Sequence, residues 1–148
     1  MHDSGSLIFL AAMVFSSISA GVVWFLQLNH YPLYRAVPEH ALTDYITAHN
    51  RRLLLPVIIP MAIAIGTTGL LLLDRPADMG SVSVFALSLS LLAILISTAA
   101  LQGPAHLRLE RNPNQQLISS IIATNWIRTL CWSLNVIVLG AHAAGVDQ

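Results

Sequence analysis

Residues 117–139 read LISSIIATNWIRTLCWSLNVIVL, an apolar run with Asn125 and Arg128 near its centre. A bilayer core is crossed by about 20 consecutive apolar residues of helix, so the length and composition of this stretch point to a membrane span. A guanidinium is most expensive at the middle of such a span. Whatever satisfies Arg128 is therefore the first question the sequence poses about function.

The rest of the chain agrees with the membrane reading. Of 148 residues, 55% are hydrophobic and 9% are charged, with a mean hydropathy of +0.70, whereas soluble domains carry about a quarter charged residues. Three further apolar runs cover residues 7–28, 53–73 and 81–101, giving four spans in an all-α fold with a single domain over residues 1–148. The small residues at Ser17–Ala20 resemble a cleavage site. The apolar run continues past them through Val22 to Phe25, with no basic residue ahead of it, so it reads as a retained helix. Net charge is zero and lysine is absent, which excludes the basic footprint of a nucleic-acid binder. Cys131 is the single cysteine and reads as a small apolar core residue.

Arginines set the expected topology. Arg35, Arg51 and Arg52 fall between the first two spans and Arg108 and Arg111 between the last two, while Arg75 is offset by Asp74 and Asp78. The positive-inside rule then places loops 29–52 and 102–116 in the cytoplasm and both termini outside. The turn DRPADMG at 74–80 makes the second and third spans antiparallel neighbours. From Glu39 onward, Leu42, Tyr45, Ile46, His49 and Leu53 recur at helical spacing, predicting an amphipathic extension that leads into the second span, with Tyr45, His49 and Arg52 on its inward face. Pro56 and Pro60 predict a kink just inside the membrane.

Two helical hairpins and a weak internal repeat are also expected. LNHYPLYR at 28–35 ends the first span much as LQGPAHLR at 101–108 ends the third, and the helices that follow open with AHNRRL and ATNWIRTL.

Helical side chains lean toward their own N-terminus, so polar residues from the exits and from the fourth span converge near the cytoplasmic boundary. The expected constellation is His30, His49, Arg52, Gln102, His106, Asn125 and Arg128. All seven acids, Asp3 and Asp147 included, lie outside the spans. Arg128 must then be satisfied by amides and carbonyls, by a loop acid such as Glu39, Asp44 or Glu110, or by an anionic ligand group such as a phenolate, enolate or carboxylate. His49, His106, Arg128 and Asn125 are the expected catalytic residues, with Gln102 and Arg52 at a cofactor. His30, His49 and His106 are expected ligands of copper or non-haem iron, with haem between two histidines as an alternative. Equally, one histidine could serve as a general base.

Gln102-Gly103-Pro104-Ala105-His106 after the third span and Asn125-Trp126-Ile127-Arg128-Thr129 in the fourth resemble the signature of the anthrone-oxygenase-like family of small four-helix integral membrane proteins. Gly21 to Pro32 is similar to that family's first-helix exit, whereas glutamine and histidine stand where the family has asparagines around Pro104. The resemblance implies a four-helix bundle, with some members oxidising anthrone-type aromatic polyketides to quinones by dioxygen, and the leading expectation is an oxidoreductase acting on a hydrophobic phenolic or quinone-like compound. The expected partners are the lipid bilayer, a hydrophobic small molecule, and either further copies of the chain or a partner membrane subunit. A non-catalytic small subunit of a larger membrane complex is the competing expectation.

Overall fold

A computed structural model describes residues 4–146; Asp3 and Asp147 lie outside them. Every regular element among these residues is helical. Four helices are long and apolar enough to cross a membrane: α1 (Gly5–Ala36), α3 (Leu54–Leu73), α4 (Ser81–Arg111) and α5 (Gln115–Ala143). The shorter α2 (Glu39–Arg52) lies across one end of the group, its Leu42 and Ile46 buried, and Asn50 donates to Glu110 at 2.9 Å near the end of α4.

Both α1 and α4 run further than the sequence suggests. The spans expected to stop at residues 28 and 101 continue to Ala36 and Arg111. Proline removes a backbone donor and its ring clashes with the carbonyl four residues earlier, so Pro32 and Pro104 read as helix ends. Instead, each follows a single π-helical turn, Leu26–His30 in α1 and Ser97–Gln102 in α4. In these turns the Tyr31 N–H reaches the Leu26 carbonyl and the Gly103 N–H reaches that of Thr98. A third π turn, Leu54–Ile58, surrounds Pro56 at the start of α3. Glycine suits position 103 because a Cβ there would sit 3.1 Å from the Thr98 carbonyl oxygen. The segments that look alike in sequence therefore share one local geometry, a π turn followed by proline.

Helix α1 packs along α3 and α5, and α5 packs along α4, whereas α3 and α4 touch only sparingly despite the short turn between them. That turn is closed by the Met79 N–H donating to the Pro76 carbonyl at 3.0 Å. Two apolar cores result. The larger surrounds Val23, Ile46, Ile94 and Trp132 toward the arginine-rich end, and the smaller gathers Ala12, Leu71, Leu87 and Leu139 toward the other. Asn114 caps α5 by accepting from the Leu117 N–H at 2.8 Å, the N-cap arrangement expected of asparagine.

Candidate functional site

All three π turns lie toward the arginine-rich end, and π turns are frequent at functional sites because they re-aim the side chains that follow. Here they deliver His30 and Tyr31 from α1 and His106 from α4 to a chamber roofed by α2. His30 and His49 stack with ring centroids 4.4 Å apart and share a hydrogen bond, Nε2 to Nδ1, of 2.8 Å. His106 lies against His49 with centroids 6.1 Å apart. Its Nε2 is 3.2 Å from the Tyr31 hydroxyl. Tyr34 completes the wall, edge-on to both His30 and His49.

Arg128 enters the chamber from α5 and is only 4% exposed. Among the described residues no carboxylate lies within ion-pair distance of it, so Glu39, Asp44 and Glu110 do not neutralise it. Its Nη2 instead donates to the Met61 sulfur at 3.1 Å, a weak acceptor, and the guanidinium lies near the Tyr31 hydroxyl. Arginine can only donate, so toward Arg128 the phenolic oxygen of Tyr31 can serve only as an acceptor, and the hydroxyl's hydrogen-bond contact is with His106 Nε2. Arg128 Nε has no protein partner. Below it, the Asn125 amide donates to the Gln27 carbonyl at 2.9 Å, Gln27 donates to the Ile122 backbone carbonyl at 3.1 Å, and Gln102 donates to the Thr124 hydroxyl at 2.7 Å.

The sequence-derived constellation thus assembles in part. His30, His49, His106 and Arg128 surround the chamber, and Asn125 and Gln102 form a supporting layer beneath it. Arg52 differs. It is exposed at the end of α2 and contributes to the mouth of a groove, as expected of a long charged side chain that keeps its head out of apolar surroundings. Tyr45, expected on the inward face, is 38% exposed and only flanks His30 and Tyr34. The three histidines gather, but His30 and His49 are bonded to each other and His106 to Tyr31. Among the described residues no three His, Cys, Asp or Glu side chains converge as a metal-holding group. Two imidazole nitrogens, His49 Nε2 and His106 Nδ1, have no protein partner.

A groove of about 340 Å³ connects this chamber to the lipid-facing surface, running between Gly21, Phe25 and His30 of α1 and His49, Leu53 and Pro56 on the α2–α3 side. Its walls are apolar apart from the histidine pair at its inner end and Arg52 at its mouth. Pro56 and Val57 of the π turn at Leu54–Ile58 form part of its wall.

Burial, together with His30 and His106 facing it, pushes the His49 imidazole down to about 3. In the unfolded chain the same group titrates near 6.5. Neutral His49 therefore contributes stability that is fully present above pH 6.5 and is lost as the pH falls from there toward 3. Melting temperature is expected to fall across that window, and His49→Gln, which cannot be protonated there, should flatten the fall. An identical pH profile for the two proteins would show that His49 is not held neutral.

Tyr31 is the buried chamber residue that the sequence pattern did not single out. The only signal for it was its place between His30 and Pro32 at an apparent helix end. Comparison of the chain with protein-family models, with curated proteins and with solved structures found no match.

Proposed function

We propose that the chain is an integral membrane four-helix bundle, its arginine-rich end in the cytoplasm, that takes a hydrophobic phenol or quinone from the bilayer and exchanges protons with it as an oxidoreductase. The observation that carries this reading is the apolar groove opening sideways onto a hydrogen-bonded pair of imidazoles, with an arginine lacking a carboxylate behind them. Small-molecule sites combine apolar walls with a few convergent polar groups, and an intramembrane ionisable residue is a functional feature by default.

In the proposed mechanism the ring system lies along Phe25, Leu53 and Pro56 with its oxygen against the His30–His49 pair. Interconverting a phenolic and a quinone-like form moves electrons together with protons. The imidazoles and the Tyr31 hydroxyl supply or accept the protons, and Arg128 stabilises the phenolate that forms when one leaves. Dioxygen is the co-reactant that the family resemblance suggests for the electrons. Gln102 and Asn125 act as positioning residues by holding α1, α4 and α5 in register around the chamber. The likeness of the two π-turn and proline segments supports an ancestral pair of hairpins with the site at their interface.

The test uses Gly21, where an added Cβ meets nothing within 4 Å. Gly21 lines the groove, so Gly21→Leu adds apolar bulk at its wall. Binding of decylubiquinone and oxygen uptake with anthrone should each weaken by about tenfold or more, the equivalent of roughly 1.4 kcal/mol, with the melting temperature unchanged. Unchanged binding in the variant would remove the groove from the mechanism. Failure of the wild-type protein to bind either probe, with a partner copurifying at constant stoichiometry, would assign the chain to the competing role of a non-catalytic subunit.

A further inference from the structure

Away from the chamber, the interior of the bundle carries polar side chains that the proposed chemistry does not use. Gln27 faces Asn125 and Phe9 faces His142 along α1 and α5, which brings Ser16 level with Asn135. Met61 faces Arg128, and Leu71 joins Leu139 in one apolar cluster, which brings Thr68 to the same level. Ser90 of α4 donates directly to Asn135 at 2.8 Å. By helix register, one buried polar residue from each long helix thus stands at the same level midway along the bundle, and Ser90 and Asn135 are in direct contact. None of the four is more than 2% exposed, and Ser16 Oγ, Thr68 Oγ1 and Asn135 Nδ2 have no protein hydrogen-bond partner.

This level is the end of a file. One turn nearer the chamber, Ser19 Oγ and Trp132 Nε1 are buried without a partner. In helix register Asn125 Oδ1 and Arg128 Nε follow toward the chamber, where His106 Nδ1 and His49 Nε2 lie, all of them buried without a protein partner. A turn of helix rises about 5.4 Å, a step that one water molecule with hydrogen bonds to both sides can bridge. Buried polar groups left unmatched by protein are commonly met by ordered water, each making about 3 hydrogen bonds, and Ser16, Thr68 and Asn135 each contribute one such group at the mid-bundle level.

On the other side of that level the chemistry reverses within one turn. Ala12, Leu71, Leu87 and Leu139, again one from each helix, are at most 2% exposed and form an apolar plug. Beyond it a cavity of about 480 Å³ holds Asp74, Arg75 and Asp78 at the far end of the bundle, with His142 Nε2 lying 3.9 Å from Asp78 Oδ1. A polar file, a one-turn apolar constriction and a charged vestibule in series form the arrangement that gates conduction by excluding water.

We propose that this file is a water-bridged proton path through the bundle, gated by the ring of Ala12, Leu71, Leu87 and Leu139. Protons pass from water to water and hydroxyl without electron transfer, and the path requires no molecule in the groove. The plug allows passage only when water enters it.

The experiment measures proton flux into vesicles reconstituted with the full chain, driven by a valinomycin-clamped potassium gradient and read by an internal pH dye. Leu71→Ser combined with Leu139→Ser should raise the flux at least tenfold over wild type without releasing trapped carboxyfluorescein. Adding Asn135→Leu should return it to the wild-type level. No rise in the plug variant, a rise that survives Asn135→Leu, or a rise accompanied by dye release would overturn the proposal. In the wild-type protein, where folding of variants is not at issue, the Trp132 indole N–H should exchange with deuterium within minutes despite its complete burial. Protection lasting hours would show the file to be dry and the proposal wrong.

Discussion

Replacing Arg128 with methionine should make the protein more stable and leave it inactive. Taking a guanidinium out of water costs several kcal/mol, and exchanging a buried charge for an apolar side chain of similar volume often stabilises a protein by about 1–4 kcal/mol. At this site the penalty is poorly offset, because the guanidinium has the weak Met61 sulfur acceptor at 3.1 Å and no carboxylate. Tyr31 would keep its contact with His106 in the variant, so the substitution creates no newly orphaned hydroxyl. A rise in melting temperature is therefore the expected result. Loss of a preorganised donor to a developing oxyanion lowers turnover by about 10²–10³, and oxygen uptake with anthrone should fall by at least that much. Arg128→Lys should recover only part of it, since an ammonium keeps the charge but not the planar fork of donors. The structural alternative makes the opposite forecast. If Arg128 merely ties α5 to α1 and α3, the methionine variant melts lower and retains whatever activity survives folding. Thermal melts and turnover measured on the same preparation separate the two cases.

The contrast between what the sequence conveyed about the fold and about the site has a physical origin. Spans are set by the length and apolarity of a run, and all four were legible for that reason. Their ends were not, because Pro32 and Pro104 ordinarily terminate a helix, and only a π turn beforehand lets the chain continue. Those turns also alter which residues face inward. Helical periodicity carried through residues 26–34 without them gives no special place to Tyr31, yet it is buried along with Tyr34. The layer of Gln27, Gln102 and Asn125 is different, since amides within apolar runs have no other place to go than the interior. Arg52 shows the limit of that logic. At the end of α2 its long side chain reaches the groove mouth, so helical spacing from His49 did not determine its environment. The counterpart of Arg128 could not be read from spacing at all, because it depends on which helix face α1 presents after its π turn.

Tyr31→Phe tests whether the phenol next to Arg128 is part of the proton chemistry or only part of the packing. Removing the hydroxyl takes away the group between the Arg128 guanidinium and His106 Nε2, while the ring, fully enclosed between Tyr34 and His106, keeps its volume. A positioned acid or base contributes about 10²–10⁴ to the rate, so kcat should fall within that range, while KM, set mainly by the apolar groove, stays near the wild-type value. Stability should fall as well, by about 1–3 kcal/mol, because His106 Nε2 loses its partner in a buried setting. Tyr34→Phe is the matched control. Tyr34 is also completely buried, but its hydroxyl has no protein partner, so removing that oxygen should leave stability equal or higher and turnover intact. Equal losses of turnover in the two variants would mean that the chamber responds to general loosening and would withdraw the proton-transfer role from Tyr31. A large loss confined to Tyr31→Phe, appearing in kcat and not in KM, would place its hydroxyl on the proton route between the histidine pair and the buried arginine.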